Sequence, residues 1–220
     1  MIIILLCLLH YIQYGQFNED FQDGDLINNP SWAGDVQDFI VNDNFQLQLN
    51  AAEAGNSLLY IESSYPDSVE WNFFFNMDFS PSGSNQLRIY LISSSTNISD
   101  TEGYFFEIGE SGSSDALNFY RQDGTDMVLL AMGSMGALAS APALARVQIL
   151  RHGDGLWEIK ADYSGGSGLQ TEFELIDDTY GTNLSANFIL YCSYSDSRKD
   201  RYFFDDCLLA KASCNPRYFS

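Results

Sequence analysis

The segment from Val69 to Phe79, VEWNFFFNMDF, limits what this chain can become more than any other stretch. Val69, Trp71, Phe73, Phe75, Met77 and Phe79 recur at period two, Glu70, Asn72, Asn76 and Asp78 fill the alternate places, and Phe74 is the apolar exception. A helix turns about 100° per residue and cannot gather those positions on one side, whereas a strand does so by its pleat. The segment therefore predicts a long strand, with an aromatic face against a core and a second face towards water or a groove.

Phe45 to Asn50 alternates as clearly, Leu87, Ile89 and Leu91 share a face within Gln86 to Ser93, and Ser57 to Ser63, Gly103 to Glu110 and Ala116 to Arg121 read as further strands. Further strands are expected at Met127 to Met132, Arg146 to Arg151, Trp157 to Tyr163, Leu169 to Ile176, Ala186 to Tyr194 and Arg201 to Ala210. Turn signals such as Asp23-Gly24, Asn29-Pro30, Asp123-Gly124 and Gly153-Asp154-Gly155 punctuate the runs, and Gly133 to Pro142 reads as a loop. About twelve strands are expected, with no amphipathic helix, no fixed-period repeat and no linker. Such a set closes most economically as an all-β, two-sheet antiparallel jelly-roll sandwich, with a barrel as the alternative.

Residues 1–15 read as a signal peptide. The apolar run Ile2 to Leu9 is too short to cross a bilayer, and cleavage is expected near Gly15/Gln16. Residues 16–220 then form a single sandwich domain, secreted or held at the cell surface, with no membrane insertion once the leader is removed. The 30 acidic residues against 10 basic ones give a formal charge of −20, which disfavours nucleic acid and anionic membranes as partners. Cys192, Cys207 and Cys214 are too few for a disulfide scaffold, and Cys192, in an apolar strand, reads as a buried thiol.

Five stretches carry a family resemblance: FNEDFQDGDLINNPSWAGDVQDFIVN at 17–42, WNFFFNMDFSPSGSNQLRIYL at 71–91, GYFFEIGESGSSDALNFYRQDG at 103–124, ADYSGG at 161–166 and YCSYSDSRKDRYFFDD at 191–206. Together they resemble the concanavalin A-like, laminin-G-like sandwich module at the N-terminus of large secreted Bacteroidetes proteins, which often carry lamin-tail or other adhesive modules further along. The resemblance implies an accessory binding or adhesion domain without catalytic residues. The tail Lys211 to Ser220 departs from the pattern, so a stand-alone module and a piece of a larger protein both remain open.

Catalytic chemistry finds little support in the residues. A retaining glycosidase needs two carboxylates about 5 Å apart across a cleft. Glu172 and Glu174 share a strand face that solvation explains, and Asp205 and Asp206, adjacent on a strand, are expected to face opposite ways. His152 stands alone, without a nucleophile motif. A structural calcium is the stronger expectation, held by Glu19, Asp20, Asp23 and Asp25 together with Asp205 and Asp206 if the first and last strands are neighbours. For a sugar ligand the aromatic candidates are Trp32, Tyr90, Tyr104 and Trp157. The outer row of the organising strand, above all Asn72 and Phe74, is the expected binding face, because an apolar ring on a water-facing side needs a loop, a second layer or a partner to cover it. These observations predict a secreted, non-catalytic module for adhesion or recognition, with polysaccharide or a cell-surface protein as partner. The alternatives are a polysaccharide-active hydrolase or lyase, and a spacer domain without ligand.

Overall fold

The computed structural model of the protein describes residues 17–65, 68–112, 114–181 and 185–212. The expected signal peptide, Cys7 and Cys214 lie outside the described residues. Among the described residues the chain forms fifteen strands, and the only helical element there is a three-residue 3-10 turn at Val36–Asp38. The larger sheet runs in the order β13 (Gln170–Ile176), β12 (Leu156–Asp162), β11 (Ala143–Arg151), β6 (Val69–Met77), β15 (Tyr202–Lys211), β4 (Leu47–Leu49) and β3 (Phe39–Val41), with β1 (Phe17–Glu19) also paired to β15. The smaller, seven-stranded sheet runs β10 (Asp126–Met132), β9 (Asn118–Gly124), β8 (Thr101–Ile108), β7 (Gln86–Ser93), β14 (Ser185–Tyr194), β5 (Gly55–Ser64) and β2 (Ala33–Gly34). All strand pairings are antiparallel. The sandwich reading holds.

The organising strand is β6, central in its sheet between β11 and β15. Val69, Trp71, Phe73, Phe75 and Met77 are buried, while Glu70, Asn72, Phe74 and Asn76 are half-buried on the other face. Inside the sandwich Trp71 stacks on Trp157 at 5.8 Å between ring centroids, and Phe73 meets Phe106 and Phe188 of the opposite sheet, each at 6.5 Å. Burying each such ring stabilises the fold by roughly 1.5–3 kcal/mol relative to leaving it exposed, so this row joins the two sheets more than any backbone ladder does.

Two irregularities re-aim side chains. On β15 the register against β6 slips between Asp205 and Leu208, and Asp206 takes φ +49. This is a β-bulge, which inserts one residue and shifts the alternation. Asp205 and Asp206 therefore both sit half-exposed between buried Phe204 and buried Cys207, contrary to the opposite facing expected of a regular strand. On β8 and β7, Gly103 lies so close to β7 that a Cβ would stand 1.8 Å from the Ile92 carbonyl oxygen, a crossing open only to glycine.

Candidate functional site

The first and last strands are neighbours, as the calcium expectation requires: Phe17 faces Leu209 and Glu19 faces Cys207. The six carboxylates nonetheless do not converge. Among the described residues no three or more His, Cys, Asp or Glu side chains gather at one point. Local backbone donors occupy them instead. Glu19, 3% exposed, accepts the Phe21 amide at 2.7 Å and the Trp32 indole N–H at 3.4 Å, and burial raises its pKa above the ordinary carboxylate value. Asp20 accepts from the Gln22 amide, Asp23 from the Asp25 amide, and Asp25 from the amides of Ile27 and Asn28. Asp205 accepts the Asp206 amide, and Asp206 pairs with Arg146 at 2.8 Å. Asp and Asn close turns in this way throughout the protein.

The four aromatic candidates are all buried. Trp32 stacks against Phe21 under the N-terminal loop. Trp157, 0% exposed, is enclosed by Trp71, Tyr104 and Phe119 and donates its indole N–H to the Asp177 carbonyl, so it has no ring face to offer a sugar. Tyr104 donates its hydroxyl to Asp177 at 2.6 Å within the core. Phe74 does lie on the outer face with Asn72, but this face has its own cover. The Arg146 guanidinium lies 5.8 Å from the Phe74 ring centroid, and the turn after β12 crosses the ring so closely that a Cβ on Gly165 would stand 2.8 Å from Phe74 Cε2. Asn72 donates to Glu70 at 2.8 Å, and Gln148 donates to the same Glu70 oxygen at 2.9 Å. Glu70, Asn72 and Gln148 thus satisfy one another here.

The opposite face of the sandwich is different. Strand register aligns Ala33, Tyr60, Ile189, Tyr90, Phe105, Tyr120 and Leu129 in one row that crosses all seven strands on the outer side. Tyr90 stacks on Phe105 at 4.7 Å and Phe105 on Tyr120 at 5.2 Å. Tyr90, Phe105 and Ile189 form a buried cluster separate from the main core, covered by Ile98 of the β7–β8 loop and flanked by half-buried Leu58, Tyr60 and Tyr120. Gln122 anchors the cover: its amide nitrogen donates to the Ile98 carbonyl at 3.0 Å, and its amide oxygen accepts the Tyr90 hydroxyl at 2.9 Å. Burial pushes the Tyr90 phenol up to about 12. One row further along the strands lie Leu58, Tyr191, Arg88 and Glu107, with Arg88 bonded to Glu107 at 2.6 Å and its guanidinium 5.5 Å from the centre of the Phe105 ring. At the β2–β5 end of the row a cleft of about 370 Å³ opens at the sheet edge beside Tyr60, lined also by Phe17, Pro30, Ser31, Ala33, Ile61 and Glu62. Half-buried rings with polar groups at their edges and a concavity at the end suit stacking against an uncharged cyclic ligand. Sequence reasoning named Tyr90 but missed Tyr60, Tyr120 and Tyr191. Each occupies the off-core register of its strand, and only cross-strand pairing brings them together.

A second polar centre lies where β8 turns into β9. Asp115 is 1% exposed, and no well-formed hydrogen bond reaches either carboxylate oxygen; Glu110 Oε1 and buried Asn118 Oδ1 also lack one. Burial and then the Glu110 charge raise the Asp115 pKa, while the amides of Asp115 and Glu110 oppose them. Asn118 turns its amide nitrogen to Glu110 Oε2 at 3.2 Å, which leaves its oxygen free. Buried acceptors without donors cost free energy unless something positive reaches them. The side-chain oxygens of Glu110, Asp115 and Asn118 are of the hard type that calcium takes.

No protein-family model matches the chain, and no curated protein matches its sequence. Solved structures do match its fold. The carbohydrate recognition domain of Emp47p superposes with a TM-score of 0.65 at 12% identity, over 89% of this chain and 95% of that one. A lectin from Bauhinia forficata in complex with GalNAc gives 0.60 at 12% identity, over 92% and 100%. The exoplasmic/lumenal domain of VIP36, in a Ca²⁺- and Man-bound form, gives 0.60 at 10% identity, over 92% of each chain. The fold is thus a legume-lectin-like, concanavalin A-like sandwich.

Proposed function

We propose that this protein is a secreted, non-catalytic carbohydrate-binding module whose ligand lies on the outer face of the seven-stranded sheet. One observation carries the reading: the cross-strand row that leaves Tyr60 and Tyr120 half-buried at either side of a covered aromatic centre, with the 370 Å³ cleft beside Tyr60. Stacking on such rings favours a pyranose, and Glu62, Ser31, Tyr191 and the Arg88–Glu107 pair supply edge groups for hydroxyls. The −20 charge favours a neutral glycan over a polyanion. Mannose and GalNAc in the matched lectins support the class of ligand.

We assign calcium to Glu110, Asp115 and Asn118. When bound it would neutralise the buried Asp115 and half-buried Glu110 carboxylates and hold the β8–β9 turn, and Glu107, three residues before Glu110, would be fixed with it. The residues themselves orient the ligand; the ion supplies charge compensation. Titration of the protein with mannose- and GalNAc-terminated oligosaccharides, with and without calcium, tests both parts. Binding that falls at least about tenfold in Tyr60→Ala, with an unchanged melting temperature, is the expected result. Binding untouched by Tyr60→Ala and Tyr120→Ala, or turnover of the oligosaccharide, would overturn the reading.

A further inference from the structure

The exposed apolar side chains are not scattered over this surface. Ile27, Val36, Ile40 and Phe45 lie at one open side of the sandwich, near β2 and β3. Met127, Val128, Leu129, Met132, Met135 and Ile176 lie at the other, along β10 and the end of β13. Ile176 belongs with the β10 group because Asp177, the next residue, is held at 2.6 Å by Arg121, whose strand partner is Val128. Glu172 of β13 likewise accepts the Ser134 amide at 2.6 Å, just beyond β10.

Strand β10 is an edge. Its ladder runs to β9, and among the described residues no backbone hydrogen bond leaves its other side. Soluble proteins blunt such edges with charge, proline or bulges. Here a bulge falls between Leu129 and Ala131, but Asp126 to Leu129 remains regular, and Met127, Val128 and Leu129 are each at least 40% exposed. The charge pattern is equally marked. From Met127 to Ala145 the sequence carries no Asp, Glu, Lys or Arg, the longest such run in the chain, in a protein of net charge −20.

We propose that this side is a homodimer interface, in which β10 pairs antiparallel with β10 of a second copy around a two-fold axis. A second copy fits for two reasons. Two chains of the same strongly acidic protein repel over most of their surface and can approach where charge is absent. An antiparallel edge is also self-complementary, so the segment Met127 to Leu129 supplies both the donors and the acceptors its copy needs, and each apolar residue meets the same set. The pairing joins the two seven-stranded sheets into one, and sets their aromatic rows end to end because Leu129 terminates each row. The interface does not depend on the carbohydrate reading.

Sedimentation equilibrium of the full chain over a wide concentration range tests this directly. A monomer–dimer equilibrium is expected that tightens from 0.05 to 0.5 M NaCl, because screening removes repulsion between like-charged copies while leaving apolar contact intact. Leu129→Lys, a change at an exposed side chain, is expected to weaken the dimer at least about tenfold, whereas Ile27→Lys at the opposite side leaves it unchanged. A monomer at every concentration and salt, or a dimer indifferent to Leu129→Lys, would overturn the proposal. So would co-flotation of the protein with phosphatidylcholine vesicles that Leu129→Lys abolishes, since the patch would then face lipid.

Discussion

The two outer faces of this sandwich have similar ingredients and different fates. On the larger sheet, Phe74 stands among Asn72, Glu70, Gln148 and Arg146; on the smaller, Tyr60, Tyr120 and Tyr191 stand among Arg88, Glu107 and Glu62. The first face is closed from within. Arg146 lies over Phe74, Gly165 touches its ring, and Glu70 takes both neighbouring amides. The second is covered at its centre by Ile98, and its flanking rings stay half-buried. An aromatic residue on a water-facing register therefore has two physical explanations, a local lid or an external ligand. Only the contacts across strands decide between them.

The largest expected effect separates the faces by stability. Phe74→Ala removes a ring held between Gly165 and Arg146 and should cost about 2–3 kcal/mol in urea denaturation, with glycan affinity unchanged. An affinity loss without destabilisation would exchange the roles assigned to the two faces.

Calcium should act on the seven-stranded side. At a free concentration about a hundred times its Kd the ion adds about 2.7 kcal/mol to stability, read as a rise in melting temperature that EDTA reverses. Because burial and the Glu110 charge raise the folded-state pKa of Asp115, its neutral form stabilises the metal-free protein below the unfolded carboxylate value of about 3.9, and that contribution is lost as pH rises through the raised value. The calcium shift should thus grow with pH across that window and vanish in Asp115→Asn. A shift that persists in this variant would place the ion elsewhere.

A smaller effect belongs to the half-buried rings. Tyr120→Ala should weaken oligosaccharide binding by about 1.4 kcal/mol, tenfold, in isothermal titration, while Tyr120→Phe keeps most of the affinity if the ring face is what binds.

The smallest effect concerns the end of the sandwich beneath both faces. Burial opposes ionisation of Asp177, but hydrogen bonds from Tyr104, Thr179 and Arg121 outweigh it and lower its pKa; bonds from Arg121 and Tyr180 lower that of Asp123. Stability from this pair is present above the unfolded carboxylate pKa and is lost as pH falls through the depressed folded values. Arg121→Gln should flatten the acid limb of the stability–pH curve, which thermal melts between about pH 2 and 5 would show.

Much of this architecture was legible because alternation is a local signal. Val69 to Met77 declared its inner wall residue by residue, and Trp71 and Phe73 proved to be core. Other features depended on partners that one stretch of sequence does not reveal. Asp205 and Asp206 point alike because of a bulge set by register with β6. The N-terminal carboxylates had the composition of a metal site, yet their nearest donors were their own backbone amides, which sit closer than any partner across the sheet. Asp115 and Asn118 stood within a quoted motif but gave no hint of burying oxygens that no well-formed hydrogen bond reaches, since burial arises from packing of the Gly133 to Leu138 loop, where the Leu138 amide bonds the Asp115 carbonyl. Tyr60, Tyr90, Tyr120 and Tyr191 come from four strands spread over more than half the chain, and their adjacency exists only in the folded register.

Backbone amide shifts in a ¹⁵N-labelled sample, followed through a titration with a glycan selected from a mannose- and GalNAc-bearing array, test the central claim most directly. The account predicts that the perturbed amides cluster at Tyr60, Glu62, Tyr191, Arg88 and Tyr120 on the seven-stranded sheet. Perturbations gathered at Asn72, Phe74, Arg146 and Gln148 on the other sheet would contradict it.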